Sequence, residues 1–106
     1  MIIRIFQVTT QPGKEAEFAD FFHNTAVPLM LKTEGLAAVL PGAPRADSPS
    51  AFCFVMVWRD LTSLKAFVGE DYTDAHILPE EAALVKSRSI THYDLVAAGT
   101  TVAGLA

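Results

Sequence analysis

Between Ala51 and Trp58 the chain reads Ala-Phe-Cys-Phe-Val-Met-Val-Trp, with no charged residue and no polar alternation. A short run rich in aromatic and β-branched residues is a strand, and one that lacks alternation is apolar on both faces. Covering both faces takes material on each side of the sheet. A chain of 106 residues is a single domain, and its helical segments suffice for one layer. The other face is expected to meet the same sheet of a second copy in an isologous two-fold contact. Hydrophobic residues make up 51% of the chain and mean hydropathy is +0.32, high for a domain whose surface outweighs its interior. A homodimer is therefore expected.

The flanking segments supply the rest of the sheet and its helices. Ile2 to Thr10 is rich in β-branched residues and ends at the turn signal Gln11-Pro12-Gly13, so it reads as a strand. From Lys14 to about Lys32, Phe18, Phe21, Phe22 and Leu29 recur at helical spacing, with Glu17, Asp20 and Asn24 opposite. Pro28 falls inside this pattern and predicts a kink or break near Ala26-Val27. Gly35 ends the helix. Leu36 to Leu40 is a second short strand, followed by a turn-rich connection through Ser50.

After Trp58, Asp60 caps a short helix that carries Leu61, Leu64, Phe67 and Val68 and stops at Gly69. Pro79-Glu80-Glu81 starts another helix, expected to run to about Val85, and Ser89 to Val96 reads as the last strand. The order is β-α-β, β-α-β. That is an α+β fold of the ferredoxin-like, split βαβ type, with an antiparallel sheet and helices on one face. Residues 1–96 form the domain and 97–106 a C-terminal tail.

Twelve acidic residues stand against eight basic ones, with no basic cluster of the kind a phosphate backbone requires, so no nucleic acid partner is expected. No run approaches the roughly 18 apolar residues of a membrane span, and the amino terminus lacks the features of a secretory signal. The single cysteine, Cys53, can form no intramolecular bridge. The default address is cytoplasmic.

Several local motifs together resemble the antibiotic biosynthesis monooxygenase family of dimeric α+β barrels. They are Gln11-Pro12-Gly13-Lys14, Glu34-Gly35-Leu36 and Val57-Trp58-Arg59-Asp60 in the first part of the chain, then Phe67 to Tyr72, Pro79-Glu80-Glu81 and Thr91-His92-Tyr93-Asp94. The resemblance spans Ile3 to about Val96. It implies a sheet-to-sheet dimer with a pocket between sheet and helices in each subunit. Family members include cofactor-free oxygenases, haem-degrading enzymes and proteins of unknown activity. The chain has no glycine-rich phosphate loop, no nucleophile-base motif and no ligand pair at zinc spacing, so neither a cofactor nor a metal is expected.

Cofactor-free oxygenation, as the resemblance implies it, needs a base, a hydrogen-bond donor and aromatic walls. His76 is the candidate base, since neutral imidazole accepts a proton near neutrality; the plainer alternative is a solvent-facing helix histidine. Trp58 is the candidate donor, on the same strand face as Phe52, Phe54 and Met56, or simply a space-filling core residue. Family members that oxidise anthrones carry a tryptophan there and an asparagine four residues earlier, where this chain has Phe54. The haem-degrading members place an asparagine on the first strand, a tryptophan on the second helix and a histidine beyond it, and the matching positions resemble Gln7, Phe67 and His76.

Tyr72, Phe54, Phe67, Phe22 and Gln7 are thus the expected substrate-binding set, with Phe18 and Phe21 assigned to the core. Arg4, alone in an apolar strand, is expected to reach the rim or to pair with an acid across the dimer. His23 and His92 are too scattered to make a metal site. Two readings stay open: a cofactor-independent monooxygenase acting on a small aromatic or quinol-like substrate, and a non-catalytic dimeric binding or stress-related protein with the same pocket. Haem degradation is a weaker third.

Overall fold

The computed structural model describes residues 1–74 and 79–99. Four antiparallel strands, β1 (Ile2–Thr10), β2 (Leu36–Gly42), β3 (Ala51–Trp58) and β4 (Val85–Asp94), form one sheet in the order β2-β3-β1-β4. This is the ferredoxin-like arrangement, with β1 and β3 at the centre. Helices α1 (Glu15–Phe21), α2 (Val27–Leu31), α3 (Leu61–Val68) and α4 (Pro79–Ala82) accompany it. α4 is shorter than its sequence suggests, because the chain is already extended at Val85, where it pairs with Thr10.

Burial alternates strictly along β3. Phe52, Phe54, Met56 and Trp58 are buried toward the helices, while Cys53, Val55 and Val57 are half-buried on the other side. Register places Ile3 and Ile5 of β1 beside Val57 and Val55, Leu40 of β2 beside Val55, and Tyr93 of β4 beside Ile3. Leu40 and Tyr93 remain 47% and 53% exposed. Among the described residues no helix covers this apolar sheet face.

Pro28 is accommodated without a break. Between α1 and α2 the helix widens into a π-helical turn over Phe22–Ala26, which ends two residues before the proline. A widened turn relocates backbone partners around the missing proline N–H. It also keeps Phe18, Phe22 and Met30 on the buried side of one continuous helical segment. Pro41, which cannot donate to a ladder, lies on β2 at the sheet edge, where an absent N–H is tolerated.

α3 begins where its sequence places it: the Asp60 carboxylate accepts a hydrogen bond from the Ser63 backbone N–H at 2.7 Å. That bond holds the exposed Asp60 carboxyl below its ordinary pKa. Gly35 has φ +88°, and a Cβ there would lie 2.5 Å from the Ser63 Cβ. The turn into β2 thus requires glycine both for its backbone angle and for close approach to α3.

Candidate functional site

Period-two alternation on the central strands and helical spacing above them aim one set of side chains into the space between the layers. β1 contributes Arg4, Phe6 and Val8, and β3 contributes Phe52, Phe54 and Met56. Phe18, Phe21 and Phe22 close the space from the first helical segment, and Phe67 and Val68 close it from α3. The result is a cavity of about 260 Å³, just under the roughly 300–1,000 Å³ usual for small-molecule sites. Its floor is an aromatic cluster: ring centroids lie 4.7 Å apart for Phe18 and Phe52 and 5.0 Å apart for both Phe22–Phe52 and Phe22–Phe54. Such tilted rings offer flat, polarisable walls to a planar ligand.

Among the described residues, two charged side chains line this otherwise apolar space, Arg4 and Glu81, both buried. Arg4 donates from Nη1 to the Tyr72 backbone carbonyl at 2.6 Å, and the same nitrogen lies 2.8 Å from Nε2 of His92. A guanidinium has no acceptor, so His92 accepts on Nε2 and carries its proton on Nδ1. Burial lowers the His92 pKa from its ordinary value, and the Arg4 charge lowers it further. The Tyr72 ring packs edge-on against His92, with centroids 5.2 Å apart. Burial also pulls the Arg4 pKa below its usual value.

Phe54, Phe22 and Phe67 come together in the cavity wall, as their positions in the sequence suggest. Tyr72 stands behind Arg4 and offers it a backbone carbonyl. Trp58 is fully buried but does not line the cavity. Its ring lies against Phe67, centroids 5.4 Å apart, and its Nε1–H has no partner among the described residues.

Gln7 lies apart from the group. It is exposed on the far face of the sheet, where its Oε1 accepts from Ser89 Oγ at 3.4 Å. The cavity-facing residue beside it is Phe6, because a one-residue shift along a strand exchanges the two faces. His76 lies outside the described residues. Arg4, far from reaching the rim, is only 4% exposed. Its parity with Val8 and Phe6 was the available signal, since side chains two residues apart share a face. Among the described residues no group of three or more His, Cys, Asp or Glu is placed to hold a metal ion, and no helix is long and apolar enough to cross a membrane.

The profile of the antibiotic biosynthesis monooxygenase family matches residues 1–77. The chain belongs to the antibiotic biosynthesis monooxygenase family. Solved structures share its fold across almost their whole length. A protein of unknown function from Nitrosomonas europaea is 26% identical, covering 95% of this chain and 94% of its own with a TM-score of 0.73. A structure described as an antibiotic biosynthesis monooxygenase is 18% identical over 92% of this chain and 100% of its own, with a TM-score of 0.72. A variant of MhuD, with two manganese protoporphyrin IX molecules bound per active site, is 14% identical over 95% and 100%, with a TM-score of 0.68. No curated protein sequence matches significantly. In antibiotic biosynthesis monooxygenase terms, the matched segment contains β1 to α3 and hence most of the cavity wall.

Proposed function

We propose that the protein is a cofactor-independent monooxygenase that oxidises a small aromatic or quinol-like substrate with molecular oxygen. The observation that carries this reading is the apolar, aromatic-walled cavity of about 260 Å³ between sheet and helices, in a chain of this family. A phenol deprotonated in such a cavity becomes an electron-rich anion able to reduce oxygen directly. Phenol and O₂ then give quinone and water. One oxygen atom replaces the ring hydrogen, the other leaves as water, and the substrate supplies all the electrons. His76 serves as the base that takes the hydroxyl proton. Trp58 serves as a hydrogen-bond donor through its indole N–H, which has no partner among the described residues.

Two copies associate through the uncovered sheet face carrying Ile3, Ile5, Val55 and Val57, an isologous contact that leaves each cavity intact. A cytoplasmic setting fits the lone cysteine. Oxygen uptake with a panel of phenols and quinols tests the function. Rates above those of a His76→Ala, Trp58→Ala double variant are expected; equal rates would sink it.

The second reading, a non-catalytic binding protein, is favoured by Phe54, which puts a ring where the anthrone-oxidising relatives have an asparagine. It predicts saturable binding of the same aromatics without oxygen consumption. Haem degradation has less support, because Gln7 faces away from the cavity.

A further inference from the structure

Arg4 lines the cavity with no ion pair to a carboxylate among the described residues. Among the described residues the ion pairs are Lys14–Glu17, Arg45–Asp47 and Lys65–Glu70, and none involves Arg4. Residues 75–78 and 100–106 contain no Asp or Glu, so they add no side-chain carboxylate. Glu81, the other charged lining residue, has an interaction of its side chain or backbone, and no ion pair among the described residues joins it to Arg4. Burial is the cause of the lowered Arg4 pKa.

A buried guanidinium without an anion is strongly unfavourable, and among the described residues the acceptors given for this one are neutral. The Tyr72 carbonyl and His92 Nε2 both engage Nη1. A guanidinium carries five N–H groups in a planar fork suited to paired oxygens. Among the described residues Nε and Nη2 have no hydrogen-bond partner and so keep donors for a ligand, beside a described wall that is almost wholly apolar.

We propose that Arg4 is the recognition element for an anionic substrate. The ligand is an aromatic oxygen acid, a carboxylate or an acidic phenol. Its ionised oxygens meet the guanidinium nitrogens that Tyr72 and His92 leave unused, and its ring lies among Phe6, Phe22 and Phe54. The inference rests on reading the cavity as a small-molecule site and deepens the proposed oxidation by naming the charge of what is bound. A fixed cation beside a phenol also favours its ionised form, the form that reacts with oxygen. His92, kept neutral, orients Arg4 without adding a second cation; it is a positioning residue.

The test is calorimetric titration of the full chain with 1-naphthoate and its neutral counterpart 1-naphthalenemethanol, using the wild type, Arg4→Gln and Arg4→Lys. Gln removes the charge while keeping donors for His92 and the Tyr72 carbonyl. The wild type is expected to prefer the acid. Arg4→Gln is expected to lose acid affinity by about 10- to 100-fold with the alcohol unchanged, and Arg4→Lys to recover part of it. Equal binding of acid and alcohol by the wild type, binding of neither, or full acid affinity in Arg4→Gln overturns the proposal. If Arg4→Gln does not fold, the wild-type preference alone decides.

Oxygen uptake on the same samples separates the two readings. Arg4-dependent acid binding without turnover of any phenol removes the oxygenase and keeps the anion site. Turnover indifferent to substrate charge and to Arg4→Gln does the reverse.

Discussion

Arg4 and His92 face each other across β1 and β4 as register partners, with Nη1 of one 2.8 Å from Nε2 of the other. The contact exists only while the imidazole is neutral, because a protonated ring has no lone pair to offer and would set two cations side by side.

This relationship makes stability depend on pH in a definite direction. The folded-state pKa of His92 lies below the ordinary 6.5, so the unfolded chain takes up this proton first as pH falls. The contribution is complete above the unfolded value and is lost on descending through the window beneath it. The wild-type melting temperature is expected to fall from about pH 7 to about pH 5, and His92→Gln to flatten that fall. Asp60, whose pKa is also lowered, acts only below its ordinary 3.8 and does not confound the comparison. Parallel wild-type and variant curves in that window would count against the contact.

At Gly35, alanine would carry a left-handed backbone angle and drive its Cβ into Ser63. Gly35→Ala is expected to destabilise the fold by about 1–3 kcal/mol, read by urea denaturation. The double change Gly35→Ala, Ser63→Gly should recover the steric part and leave the backbone part.

Thr10 is buried, and its hydroxyl has no partner among the described residues. Valine has nearly the same shape without the polar atom. Thr10→Val is expected to leave the structure unchanged and raise stability by about 1 kcal/mol; a loss of that size would mean the hydroxyl is satisfied by ordered water.

Val55 sits on the uncovered sheet face between Ile5 and Leu40. Sedimentation of the wild type is expected to show a dimer, and Val55→Glu a monomer with unchanged circular dichroism, since a carboxylate cannot be left unpaired at an apolar contact. A wild type that sediments as a monomer would remove the proposed sheet-to-sheet contact.

The fold was legible where one periodicity governs many residues. Phe52, Phe54, Met56 and Trp58 share the inner face of β3 as alternation requires, and Asp60 caps α3 as its side-chain chemistry requires. The cavity wall was legible to the same extent: the positions of Phe22, Phe54 and Phe67 in it follow from those periods. Gln7 lies away from the cavity because correspondence between strands must be right to the residue, and an offset of one puts the side chain on the other side of the sheet. Arg4 departs from expectation for a different reason. A long cationic side chain on a strand can extend toward water or be enclosed, and only the placement of Tyr72 and His92, both distant in sequence, decides which. Pro28 was visible as a disturbance but not as a π-helical turn, because the remedy depends on what the aromatic face of the helix must reach.

Trp58 is the sole tryptophan of the chain, sealed from solvent and with its indole N–H unpartnered among the described residues, while its neighbour Phe67 forms part of the cavity wall. The molecule therefore contains an optical gauge of its own interior. Emission from a dry, unbonded indole lies toward the blue, and an occupant that moves Phe67 against the Trp58 ring, or brings water to the indole, is expected to shift it. Cavity occupancy can thus be followed in unlabelled wild-type protein, with no chromophore required of the ligand.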